Sequence, residues 1–148
     1  MPNTNVVGPV QAVVEKVKVL ARTALRGQLI SARLAKVADL NAEVASVNVY
    51  ITAQNKEIAR ANYALSKVDP ANPDAADLTK EANDRVTAAN ASIKNFQDDL
   101  TNLQKSIDEQ NAGIAAIESG ATKVSAEELA CLVDKMLVAQ AKEVASQL

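Results

Sequence analysis

Histidine and tryptophan are absent from this chain, and its aromatic residues, Tyr50, Tyr63 and Phe96, are only 2% of 148 residues. Each absence excludes something. Without histidine the chain lacks the commonest general acid–base and the commonest metal ligand, so any chemistry would fall to Asp, Glu, Lys, Tyr or the lone Cys131. The Glu-x-x-His spacing of helical di-iron proteins is impossible. A single cysteine forms no intramolecular disulfide, so cysteine usage implies no oxidising compartment. With so few aromatics, a core has to be built from Ala, Val, Ile and Leu, which suits a thin helical bundle. No apolar run approaches the roughly 20 residues that span a bilayer, and the opening MPNTNVVGPVQAVVEK lacks a basic segment followed by an apolar one. The expectation is a soluble chain, cytoplasmic or held within a macromolecular assembly such as a virion.

Proline is scarce too, and two of the four prolines lie together in LSKVDPANPDAADLTKE, residues 65–81. On either side runs a seven-residue repeat. Before the prolines, Ile30, Val37, Val44, Ile51, Ile58 and Leu65 advance by sevens (position a), and Arg33, Leu40, Val47, Gln54, Ala61 and Val68 follow three residues behind (position d). After them come Val86, Ile93, Leu100, Ile107 and Ile114 at a, and Ala89, Phe96, Leu103, Gln110 and Ile117 at d. Apolar residues sustained at this 3.5-residue period mark a left-handed coiled-coil seam.

The prolines separate two helices. Asp69 precedes Pro70 and is pushed out of the helical region, so the first helix should cover about 9–68. Asn72 suits an N-cap, Pro73 the first helical position and Asp74 the first turn, which places the turn at 69–73 and the second helix at about 73–119. The Asp69-Pro70-Ala71-Asn72-Pro73 wording resembles the connectors between tetratricopeptide repeats and the turn of type III secretion needle subunits. That resemblance covers these few positions, and the repeat's Trp, Gly, Tyr and Phe signature is missing. So short a connection predicts an antiparallel hairpin. Two registers compete, with facing residue numbers summing to 147 or to 140. The first sets Val44 against Leu103, Val47 against Leu100, Ile51 against Phe96 and Leu40 against Ile107, and it leaves 69–78 free to turn.

A third helix is expected over about 125–147, where Ser125 and Glu128 form a capping box ahead of Leu129, Leu132, Val133, Met136, Leu137 and Val144. It has a face to cover, because Val10, Val13, Val14, Val17, Leu20 and Leu25 lie beyond the reach of the second helix. It could continue along that segment, fold back over the hairpin, or exchange with another subunit. Cys131, next to Leu132 and Val133, reads as a small buried hydrophobe. Gly120 reads as a helix C-cap, and Gly27 as a close helix crossing or a bend. The predicted fold class is thus all-α: a single elongated domain, 1–148, formed by a long antiparallel coiled-coil-like hairpin with a third C-terminal helix.

Position e carries the most unusual residues. It reads Leu34, Asn41, Asn48, Asn55 and Asn62 in the first helix and Asn83, Asn90, Gln97, Gln104 and Asn111 in the second, so nine of the ten are carboxamides. Asn is a poor helix former, costing about 0.5 kcal/mol against Ala, and charged residues are usual at e. These stripes are the candidate interaction residues, suited to uncharged amide packing against another hairpin. A plainer reading is that they keep a slim hairpin hydrated without adding charge.

The net charge of −2 is unevenly spread: residues 1–36 hold six cations against Glu15 alone. Arg22, Arg26 and Arg33 make a basic face that reads as a solvated bundle surface or a contact for an acidic protein. The patch is smaller than nucleic-acid binders carry, and the segment lacks the Trp and Phe that anchor membrane-surface helices, so neither nucleic acid nor membrane is the expected partner. Asp98, Asp99, Asp108 and Glu109 read as solvent contacts, and the glycines assemble no phosphate loop because no strand precedes them. No catalytic residue, metal site or cofactor is expected. The sequence predicts a non-enzymatic structural or assembly subunit that packs through helical faces with copies of itself or inside a larger complex, with filaments and virions as fold-level analogies. The alternative is a small helical binding module or inhibitor that presents one face to a single partner protein.

Overall fold

The computed structural model describes residues 7–121 and 125–147. Three α-helices follow one another, α1 Val7–Ser66, α2 Ala75–Glu118 and α3 Ala126–Ser146. The chain is all-α, and α1 and α2 pack as an antiparallel helical hairpin. Their contacts gather into two units, one of residues Lys36–Glu109 and one that joins Met1–Ala35 to Gln110–Leu148.

Within Lys36–Glu109 the heptad series forms the seam. Leu40, Ala61, Ala82, Ala89 and Ile107 are buried, while Val44, Val47, Ile51, Ile58, Leu65, Val86, Ile93, Leu100 and Leu103 are half-buried. Two helices cannot surround most side chains, so apart from Leu40 and Ile107 only the small alanines vanish from solvent while the other large residues keep one flank open. Tyr50 stacks on Phe96 with ring centroids 5.6 Å apart and planes 19° from parallel. That contact follows the 147 register, in which Ile51, the neighbour of Tyr50, faces Phe96. In the 140 register Phe96 would sit beside Val44, about 9 Å away along the axis.

The turn differs from the sequence expectation in its boundaries. α1 ends at Ser66 because the last N–H groups tighten into three-residue bonds, Lys67 to the Ala64 carbonyl at 3.1 Å and Val68 to that of Leu65 at 3.2 Å. Two successive Asx-Pro turns follow. Asp69 accepts the Ala71 N–H on Oδ1 at 2.9 Å and the Asn72 N–H on its carbonyl at 2.9 Å. Asn72 repeats the pattern, accepting the Asp74 N–H on Oδ1 at 2.9 Å and the Ala75 N–H on its carbonyl at 3.0 Å. Pro73 therefore belongs to a turn and is not the first helical residue. The first helical bond runs from the Leu78 N–H to the Asp74 carbonyl at 3.0 Å. Asx side chains compete with helix backbone for the same N–H groups, and here they win two residues from α2.

The other unit is built from three segments. α2 ends on Gly120, whose φ of 76° lies in the left-handed region and whose N–H reaches the Ile117 carbonyl at 3.1 Å, the expected glycine C-cap. Ser125 caps α3 by accepting the Glu128 N–H on Oγ over a long 3.5 Å. Of the three placements open to α3, it takes the one along the early part of α1: Val17, Ala21 and Val133 form a buried cluster with Leu129, Leu132, Met136 and Leu137 against it. Val13 lines one open recess with Leu137 and Val144, so the two helices run antiparallel.

α3 does not cover the whole face assigned to it. Val14 and Leu25 are half-buried, but Val10 stays 58%, Val13 44% and Leu20 57% exposed. At roughly 100° per residue, Val14, Val17, Ala21 and Leu25 point about 145° away from the seam that begins at Ile30 and Arg33. The face that α1 buries thus changes sides between Leu25 and Ile30. Gly27 lies at this change, yet nothing comes within 4 Å of a Cβ built on it, so it is not a close helix crossing. Cys131 is exposed, which corrects its expected burial: it projects from α3 nearly opposite Val133 and Met136.

Candidate functional site

The seam has two flanks of different chemistry. In an antiparallel pair, position g of one helix lies beside g of the other, and e beside e, because both chains present the same edge when one is reversed. The g flank shows this directly: Arg85 Nε donates to Glu57 Oε1 at 2.7 Å, with Nη2 2.6 Å from the same oxygen, and both residues occupy g. Two heptads away the g positions Glu43, Asp99 and Ser106 line an open groove with Ala42, Ser46, Val47, Asn102 and Leu103. Its volume of about 540 Å³ would hold a small molecule. However, the groove is open along its length and has no buried polar side chain to orient a ligand, which suits a helix better than a metabolite.

The opposite flank carries the carboxamides. Within Lys36–Glu109 the register brings Asn41 beside Gln104, Asn48 beside Gln97, Asn55 beside Asn90 and Asn62 beside Asn83, all exposed. Each pair is staggered by two residues, about 3 Å along the axis. The two stripes noted in the sequence are thus one edge, four residues deep on each helix. Among the described residues only Gln104 spends its amide within the chain, donating from Nε2 to Asp108 Oδ1 at 2.9 Å. Asn111, in the other unit, is also exposed. An amide carries both donor and acceptor, so a row of free amides can satisfy a second row without burying charge.

The basic face divides. Arg22 and Arg26 are exposed, but Arg33 is not on a solvated face. It is half-buried in the seam, where its Nη1 donates to Gln110 Oε1 at 3.0 Å. The guanidinium fills the space beside Gly113, where a Cβ would collide with it. Arg33 and Gln110 are polar residues at apolar d positions, and the structure makes them partners. The sequence placed Arg33 both at a d position and on the basic face; the d position, matched by that of Gln110 and a glycine three residues on, is the one the structure bears out.

The remaining chemistry-bearing groups stand apart. Tyr63 is 67% exposed and takes Lys67 Nζ over its ring at 5.4 Å from the centroid. Among the described residues no group of three His, Cys, Asp or Glu side chains gathers as a metal site, and no helix is long and apolar enough to cross a membrane. No protein family, curated protein or solved structure matches the chain.

Proposed function

We propose that this protein is a non-enzymatic assembly subunit that packs through helical faces into a homo-oligomer or larger complex. The observation that carries this reading is the carboxamide edge: eight Asn and Gln side chains of Lys36–Glu109 aligned on one flank, exposed, seven of them without a side-chain hydrogen bond among the described residues. Solubility alone asks only for polarity, and Lys or Glu would supply it with better helix propensity. Amides on both helices give a surface that can meet its own copy without charge repulsion. The half-buried seam supports the same reading, since Val44, Ile51 and Ile93 keep apolar surface that a neighbouring hairpin would cover. Filaments and virion components are assemblies in which such repeated lateral contacts suit the purpose.

The test is mass in solution. Light scattering on the full chain should show a fixed oligomer or a polymer, and Asn48, Asn55, Asn90 and Gln97 changed together to Ser should keep helicity while lowering the associated fraction. Unchanged association in that variant would refute the role of the edge. A concentration-independent monomer would favour the second reading, a helical binding module for one partner protein, whose surface would be the uncovered Val10, Val13 and Leu20 of α1.

A further inference from the structure

The early part of α1 carries an unpaired stretch of seam. Counting sevens back from Ile30 and Arg33 puts Lys16 and Thr23 at a, and Ala12, Val19 and Arg26 at d, with Leu20 beside them at e. α2 ends at Glu118 and α3 docks on the other side of α1, against Val17 and Ala21. Among the described residues nothing covers this face: Val19 and Leu20 are each 57% exposed, and with Ala12, Glu15 and Lys16 they line a shallow recess, where the Glu15 carboxylate is paired with Lys18 at 3.3 Å.

Charge decides what would fit it. Before Gly27 the helix holds Lys16, Lys18, Arg22 and Arg26 against Glu15 alone, so two such segments brought together would repel. A complementary surface exists on the same molecule. The groove of the g flank has Ala42, Val47 and Leu103 as apolar walls and Glu43 and Asp99 on its rim, and Lys36–Glu109 as a whole holds twelve acidic against eight basic side chains. It is also the flank opposite the carboxamide edge, so both surfaces can be occupied at once.

We infer that the uncovered α1 face around Lys16, Val19 and Leu20 docks into the groove between Glu43 and Asp99 of a second copy of this chain. Val19 and Leu20 meet Val47 and Leu103, and Lys16 reaches the two carboxylates. The contact joins two different patches, so it is heterologous: each copy offers a free face and a free groove, and copies add until a ring closes or a filament grows. This inference rests on the assembly reading above and names one of its contacts.

Cross-linking tests it. In a Cys131→Ser background each molecule carries one engineered cysteine, Val19→Cys in one preparation and Ser46→Cys in the other, so that every disulfide is intermolecular. On mixing and mild oxidation the mixed disulfide should form in clear excess over either homodimer. Lys16→Glu in the first partner should cut its yield about fivefold, the scale of an exposed ion pair, and Glu43→Lys with Asp99→Lys in the second should restore it. Circular dichroism of each variant checks that the helices persist. A yield of mixed disulfide no greater than that of the homodimers, or one indifferent to Lys16→Glu, would overturn the contact. If light scattering still shows the unmodified chain to associate, the assembly reading stands and this contact falls; if the chain is a monomer throughout, both fall.

Discussion

Gly27 and Gly113 offer a matched pair of substitutions with opposite expected signs. Both lie inside helices of the same unit, so one unfolding transition reports both. Replacing glycine by alanine in a helix interior gains about 1 kcal/mol, because the unfolded chain loses backbone freedom it would otherwise regain. At Gly27 nothing lies within 4 Å of the new methyl group, so the full gain should appear. At Gly113 the Cβ would overlap the Arg33 guanidinium. The end of an arginine is flexible, but this one is held by its 3.0 Å hydrogen bond to Gln110, and moving it breaks that bond. A hydrogen bond to a charged group contributes about 1.5–3 kcal/mol, the lower end applying to a half-buried site. Net, Gly113→Ala should destabilise by about 0.5–1 kcal/mol while Gly27→Ala stabilises by about 1. Thermal unfolding followed by circular dichroism should move by about 2–4 °C per kcal/mol, upward for the first glycine and downward for the second. In an Arg33→Met background the obstacle is a shorter, unbonded side chain, and Gly113→Ala should turn stabilising. If Gly113→Ala raises the midpoint as much as Gly27→Ala does, the Arg33–Gln110 pair contributes nothing and the reasoning is refuted.

Three further outcomes follow from burial. Leu40→Asp places an unpaired charge in the seam at a 5% exposed position and should cost about 3 kcal/mol or more in urea unfolding, whereas Val49→Asp, at 66% exposure, should change stability by less than about 0.5 kcal/mol. Ala61→Leu overfills a site with no accessible surface, so the helices must separate; a loss of about 1–3 kcal/mol is expected, and a gain would show slack in the seam. Cys131 should react with a thiol reagent in the folded protein as fast as in urea, because it is exposed; protection in the native state would contradict the orientation of α3.

Much of the hairpin could be read in the residues alone. The apolar sevens from Ile30 and from Val86 specified two helices and one seam, and the Asp-Pro and Asn-Pro pairs specified where the chain reverses. The 147 register was preferred from the length of the turn and is the one Tyr50 and Phe96 adopt. The carboxamide stripes were visible as two rows, but that they form one edge follows only once the helices are antiparallel in that register. What misled was treating single residues by type. Arg33 was counted on the basic face by its charge as well as in the d series, and its d position is what sets it in the seam beside Gln110. Cys131 was assigned by its apolar neighbours in sequence, although a residue two positions before Val133 points to nearly the opposite side of a helix.

The sequence by itself determined the local outcomes: helix, turn, cap and the period of the buried face, because these depend on neighbours within a few residues. The tertiary structure decided which helix covers which face. Val14, Val17, Ala21 and Leu25 form their own stripe, out of phase with Ile30, and only the docking of α3 on that stripe shows that the older seam continues uncovered through Lys16 and Val19. Periodicity records that a face is apolar; the partner that buries it is set by where other helices end, and α2 ends at Glu118, too early to reach it.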